Sequence, residues 1–341
     1  MRIAVDAMGG DDAPQAIVKG AIDAAKATKG RFEVVLVGRE DEIKEIISHY
    51  TRGAELPISI HHASQQVEMK DSPTVALRKK KDSSIAVAMK LQKKGEVDAV
   101  VSAGNTGAVL ASALIDLRKI KGVIRPAIGS IIPSGKGVIL LIDAGTNVDC
   151  KPAHLLQFGI MGSIFIKRII GVENPKVALL SIGEEESKGN ELTQAAYQLF
   201  KKSTLNFIGN VEGGDVLKKK ADVVVCDGFV GNIVLKFAES FNKVYSFNLK
   251  RKIGKRLQYN LGAYLLKPAF KRLKKTFDYA EYGGVPLLGI NGVCIICHGG
   301  SSAKAIMNAI FEAEKIINEK VNNHIEQKLH RLREDNVEIP V

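Results

Sequence analysis

The stretch 97–117, VDAVVSAGNTGAVLASALIDL, carries the reading of the fold. An apolar run with strand character meets a knot of small and polar residues: Ser102, Ala103, Gly104, Asn105, Thr106 and Gly107. A helical pattern follows at once. The glycines let the backbone approach a ligand, and N–H groups at the start of the following helix make a ready anion site. Ser102, Asn105 and Thr106 add neutral donors. The same side chains also serve as plain helix N-caps with no ligand, and the stretch alone leaves both readings open.

On either side, similar runs recur: RIAVDA, FEVVLVG, ISIHHA, AIGSIIPS, VILLIDAG, KVALLSIG, LNFIGNV, DVVVCDG and GVCIICHG. They are continuous and rich in Val, Ile and Leu, as strands buried on both faces are. Amphipathic helical patterns such as PQAIVKGAIDAAKAT and NELTQAAYQLFKKS lie between them. This alternation predicts a three-layer α/β/α sandwich with a largely parallel, mixed sheet. Ligands of such folds sit beyond the carboxyl ends of strands. Six loops at such ends place Gly beside polar residues: DAMGGDDAP, SAGNTGA, DAGTNVD, SIGEEESKGN, DGFVGN and HGGSS. Turn chemistry would account for one of them; six point to a shared polar site.

With 341 residues, 45% of them hydrophobic, the chain can bury a sizeable core, as two domains or one large α/β domain. No apolar run reaches the length of a membrane span and no signal-peptide pattern opens the chain, so a soluble protein without an export signal is expected. Cys150, Cys226, Cys294 and Cys297 are too few and scattered for a disulfide framework, which suits a reducing cytoplasm. Cys294 and Cys297 fall in one strand with their side chains on opposite faces, so they do not chelate one metal. His61 and His62 likewise point apart.

The net charge of +12 is local. Between Glu239 and Asp278 there are eleven basic residues and no acidic one, which leaves 38 of the 49 basic residues against 37 acidic elsewhere. The segment 250–275 carries Ile253, Leu257, Leu261, Tyr264 and Leu265 at helical spacing among lysines and arginines that include Lys255 and Arg256. That pattern fits an interfacial membrane helix or a landing site for an acidic protein, with a dimer-packing hairpin as the plainer alternative. Nucleic acid is not expected, because aromatics are not interleaved for base stacking. A long charged helix capped by Ser301 or Ser302 is expected over about 303–335.

Familiar catalytic loops fail here. GEEESKGN reverses the order of a P-loop, DAMGGD lacks the dinucleotide fingerprint, and GGSSA ends in Ala303 where a nucleophile elbow needs Gly. Glu184, Glu185 and Glu186 read as carboxylates favouring the start of a following helix. Lys188 is a candidate cation for an oxyanion. His298, beside two glycines, is a donor or a capping histidine.

Taken together, VDAMGGDDAP, DSPTVALRKKKDSS, SAGNTGA, RPAI, DAGTNVD, DVVVCDGFVGN and HGGSS stand in the order seen in the bacterial phosphate acyltransferase family, PlsX. The chain resembles that family from Met1 to about Asn318. The resemblance implies a fold similar to phosphotransacetylases and to isocitrate and isopropylmalate dehydrogenases, as a single catalytic domain over 1–341 with the basic segment at about 240–280. It implies conversion of acyl-acyl-carrier-protein and inorganic phosphate to acyl phosphate for phospholipid synthesis, with no cofactor, by a homodimer held peripherally at an anionic membrane. Phosphate, with a second pKa of about 6, is already nucleophilic, and a thiolate of pKa about 8.5 leaves readily. The enzyme must then supply orientation and oxyanion donors rather than a covalent nucleophile. On that reaction, Ser102, Gly104, Asn105 and Thr106 hold phosphate with Arg78 or Arg125 adding charge, while Lys188, Asn232 and His298 face the carbonyl and thioester. Ile253, Leu257, Leu261, Lys255 and Arg256 contact the membrane or the carrier protein. A phosphotransacetylase-like enzyme using acyl-CoA is the alternative reaction, and a membrane-surface acyl-thioester binding protein the alternative of another kind.

Overall fold

The computed structural model describes the chain except for residues 52, 254–256, 271–280 and 335–341. Its strands are β1 (Arg2–Asp6), β2 (Glu33–Gly38), β3 (Ile58–His62), β4 (Ala99–Ser102), β5 (Ala127–Ser134), β6 (Gly137–Ile142), β7 (Lys176–Leu180), β8 (Asn206–Val211), β9 (Val223–Val225), β10 (Val285–Leu288) and β11 (Val293–Ile296). They form one sheet in the order β3-β2-β1-β4-β11-β10-β5-β6-β9-β7-β8. Every run expected from sequence is a strand. β10, which sequence reading missed, is short and carries Pro286, a residue that donates nothing to a ladder.

That missed strand sets the geometry. β3, β2, β1, β4 and β11 run parallel, and so do β6, β9, β7 and β8. Between the groups, β10 is antiparallel to both β11 and β5, and β5 is antiparallel to β6. The two parallel groups therefore point in opposite directions. The loops after β1, β4 and β11 leave one edge of the sheet; those after β6, β7 and β9 leave the other. The six glycine loops divide three and three.

Alternate residues of each strand serve opposite faces. Ile3, Val5, Val34, Leu36, Ala99 and Val101 pack toward α1 (Gln15–Ala27) and α2 (Glu40–Thr51), and on the same face α6 (Pro152–Phe165) covers β6, β7 and β9. The same face carries α7 (Glu191–Lys201), α11 (Ala303–Asn318) and α12 (Val321–Glu334). Ala4, Val35, Val37 and Val100 pack toward α4 (Ser84–Lys93) and α5 (Thr106–Asp116), beside which α3 (Pro73–Lys79) lies. On that second face Val216 of the short α8 (Gly213–Val216) and Val234 of α9 (Gly228–Ile253) cover β6, β7 and β9. The three layers are as expected. Cys294 and Cys297 do fall on opposite faces, and burial pushes Cys150 and Cys297 up to about 12, with Cys226 and Cys294 also raised.

Two expectations need correction. The C-terminal helix is broken into α11 and α12 at Lys320, whose φ is +49°, because the chain must turn to lay Val321, Ile325, Leu329 and Leu332 into the core. Ser302 caps α11, accepting from the Ala305 N–H. Pro152–Ile170 is also long and apolar enough by composition to span a bilayer, although no uninterrupted apolar run is. With 72% of its 18-residue apolar window buried against the sheet, it reads as a core helix.

Candidate active site

At the end of β4, Ser102 turns inward. Its hydroxyl donates to Asp6 Oδ2 at 2.6 Å and accepts from the Gly104 N–H at 3.1 Å. Asp6, at the end of β1, is buried, which pushes its carboxyl above the usual carboxylate range, and its Oδ1 has no hydrogen-bond partner. A Cβ on Gly9 would lie 2.4 Å from Asp6 Oδ2 and 2.8 Å from the Gly104 nitrogen, so only glycine lets these two loops meet. Sequence reading passed over Asp6; the available signal was an acidic residue closing an apolar strand just before two glycines.

Asn105 is the N-cap of α5: its Oδ1 accepts from the Ala108 N–H at 3.0 Å. Its Nδ2 donates to the carbonyls of Met69 at 3.0 Å and Asp71 at 3.2 Å, tying down the loop before α3. Thr106 is exposed as the first residue of α5. The N–H groups of Thr106 and Gly107 precede the first intrahelical bond and point out of the helix start. His298 follows β11 at this edge; its Nδ1 accepts from the Gly300 N–H at 3.0 Å. Arg78 is exposed on α3, which packs against α5.

The second cluster forms at the opposite edge. Asp143, closing β6, is buried and accepts from the N–H groups of Ile128, Gly145, Thr146 and Asn147 and from Asn147 Nδ2. Asn232 of α9 lies over Gly145, where a Cβ would be 3.4 Å from it. The start of α9 sits on this loop so tightly that a Cβ on Gly231 would be 1.9 Å from the Asp143 carbonyl oxygen. Beside it opens a cleft of ≈ 480 Å³ that Thr146 and Asn147 line together with Leu110 and Leu114 of α5. Lys119, Arg125, Lys151 and His154 supply its polar side. Arg125 thus stands here and not at the start of α5, although α5 walls both places.

Lys188 is exposed in the loop after β7, at the same edge as Asn232, with its N–H donating to the Glu185 carbonyl at 3.0 Å. The neighbouring glutamates do not serve a helix start. Glu186 pairs with Lys201 at 3.2 Å and Glu184 pairs with Lys220, while Asn190 caps α7. In the basic segment, Ile253 ends α9, while Leu257 and Leu261 fall in α10 (Leu257–Leu265) and their side chains lie outside the described ones. Lys255 and Arg256 lie outside the described residues.

Comparison with known proteins fits this geometry. Residues 1–324 match a family described as fatty acid synthesis protein. The chain is 51% identical to a phosphate acyltransferase of Syntrophotalea carbinolica over 323 residues, 95% of this chain and 92% of that one. It is 50% identical to the phosphate acyltransferase of Pelotomaculum thermopropionicum, with 95% and 93% of the two chains covered. Among solved structures, a phosphotransacetylase from Streptococcus pyogenes superposes with a TM-score of 0.60 at 17% identity, over 93% of this chain and 94% of that one. A branched-chain phosphotransacylase from Enterococcus faecalis gives 0.57 at 14%, over 92% and 98%. The fold is therefore shared with phosphotransacetylases, and the sequence goes further: this chain belongs to the phosphate acyltransferase family of enzymes.

Proposed function

We propose that the protein makes acyl phosphate from an acyl-acyl-carrier-protein and inorganic phosphate, for phospholipid synthesis. A phosphate oxygen attacks the thioester carbonyl carbon, the tetrahedral oxyanion collapses, the C–S bond breaks, and the carrier thiolate leaves and takes a proton from water. The observation that carries direct attack is the state of the side chains that could otherwise act covalently. Each cysteine thiol is raised by burial, which disfavours the thiolate, and the Ser102 hydroxyl is itself buried, turned away from any bound thioester.

In this reading phosphate docks at the start of α5, against the N–H groups of Thr106 and Gly107 and the Thr106 hydroxyl, with Arg78 adding charge. Asp6, Ser102, Gly104 and Asn105 give that turn its shape. The thioester lies along α5: one helical turn of about 6 Å separates Thr106 from Leu110, where the cleft begins. His298, which follows β11 at the same edge as Thr106, is the candidate to face the carbonyl and sulfur, while Asn232 and Lys188 stand at the opposite edge.

A row of exposed apolar residues on α9, Phe229, Ile233, Phe237, Phe241 and Tyr245, recurs every four residues, and the rings of Phe237 and Phe241 stack at 6.3 Å. Such a stripe favours a homodimer through α9. At the end of α10, Tyr264, Leu265 and Leu266 are exposed beside Lys267, which favours peripheral attachment to anionic lipid. Leu265→Glu/Leu266→Glu is expected to lose binding to anionic vesicles and keep turnover of soluble substrate; retained vesicle binding would refute the attachment.

The reaction is tested by phosphate-dependent thiol release from palmitoyl-carrier protein and palmitoyl-CoA, with hydroxylamine trapping the product. Release from the carrier protein that requires phosphate and yields trapped acyl group is expected. Turnover only with the CoA thioester would replace the donor, and no phosphate-dependent release from either would overturn the reading.

A further inference from the structure

We propose that the cleft beside α5 seats the phosphate ester carried by the thioester donor itself, apart from the place where the attacking phosphate docks. This rests on the acyl-transfer reading above. Lys119, Arg125 and Lys151 bring three cations to one concavity that, among the described residues, no carboxylate lines. Among the described residues Arg125 and Lys151 have no ion-pair partner, and Lys119 holds only the Ile124 carbonyl, at 2.9 Å. Elsewhere some cations are paired, Lys80 with Asp71, Arg31 with Glu314 and Lys220 with Asp215, and others stand singly; here three share one concavity. Asp143 stands behind the Thr146–Asn147 wall and spends its oxygens on N–H groups, so the three cations concentrate a positive potential on the cleft side that a polyanion relieves.

The fourth polar group suits an ester oxygen. His154 Nδ1 accepts from the Lys151 N–H at 3.1 Å, which puts the ring proton on Nε2 as a donor. Burial and the nearby Arg125, Lys151 and Lys119 hold His154 below the usual histidine range, so it stays neutral and adds a hydrogen bond without a further charge. The opposite wall, Leu110 and Leu114, is apolar. Inorganic phosphate has no use for such a wall, whereas the methylenes and methyls of a pantetheine arm do. The length of α5, 11 residues or about 16 Å, separates the docking place at Thr106 from the Lys119 end. That is room for an extended arm with its thioester at one end and its phosphate at the other.

The test is calorimetric titration of the full-length protein with 4′-phosphopantetheine, pantetheine, coenzyme A and holo carrier protein. 4′-Phosphopantetheine is expected to bind at least about tenfold more tightly than pantetheine, and Lys119→Ala/Lys151→Ala to remove that difference. Both lysines are exposed, so the fold is retained; Lys151→Glu alone should repel the ester and serves as the second variant. Whichever of coenzyme A and holo carrier protein the variants weaken names the source of the ester. Equal binding of the phosphorylated and unphosphorylated arms, wild-type binding by both variants, or full displacement of the arm by inorganic phosphate would each overturn the proposal. Titration needs no turnover. Intact ester binding without phosphate-dependent thiol release would fail the reaction alone, and the converse would fail the cleft alone.

Discussion

Asn105→Ala separates a residue that builds the site from one that touches the ligand. In the structure Oδ1 caps α5 and Nδ2 holds the carbonyls of Met69 and Asp71. Loss of the cap costs about 1 kcal/mol. The two bonds to carbonyls add about 1 kcal/mol together, since water replaces them at an exposed site. The expected destabilisation is therefore about 2 kcal/mol. At roughly 2.1 cal/mol/K per residue over 341 residues, that lowers the melting temperature by about 3 °C. Asn105→Ser keeps the cap and should lose about half as much. The assay is urea unfolding followed by circular dichroism at one protein concentration, paired with the KM for phosphate. An Asn105→Ala protein as stable as wild type, with a raised KM for phosphate, would refute the reasoning and make Asn105 a ligand contact.

Three further outcomes are expected. Gly231→Ala forces a Cβ against the backbone oxygen of Asp143, and should cost about 3 kcal/mol or more in urea unfolding. Burial raises the Glu312 carboxyl to about 7, above its unfolded value of 4.5. The stability this group permits is fully present below pH 4.5 and is lost as pH rises through 7. Glu312→Gln should therefore gain up to about 3 kcal/mol on wild type between pH 5 and pH 8, read by urea unfolding at each pH. Phe237→Glu/Phe241→Glu should weaken self-association at least about a thousandfold in sedimentation velocity, because a symmetric pair loses four buried rings; an unchanged dimer would place the interface elsewhere.

What could be read in the sequence, and what could not, follows from how local each signal is. Val34, Val35, Leu36 and Val37 announce a strand buried on both faces, because that environment acts on each residue singly. Strand direction leaves no such trace: an apolar run is the same read up or down, so the reversal through β10 was invisible, and Pro286 hid β10 itself. The turn after β4 was legible as a turn, but Asn105 fits a cap and a ligand with the same atoms. The cleft was the least legible feature. Lys119, Arg125, Lys151 and His154 span 36 positions and meet only after β5, β6 and α6 have formed, so Arg125 could be singled out but not its companions.

The reversal at β10 also bears on how the molecule comes into being. β4 finds its inner neighbour in β11, nearly two hundred residues later, and α1 packs on α11, with Arg31 of the loop after α1 paired to Glu314. A ribosome therefore releases the first half of the sheet with a bare apolar edge and holds it so until the last portion of the chain emerges. Nascent chains halted before β11 should be wards of the chaperones, and the proposed phosphate site at the start of α5 the last part of the enzyme to become competent.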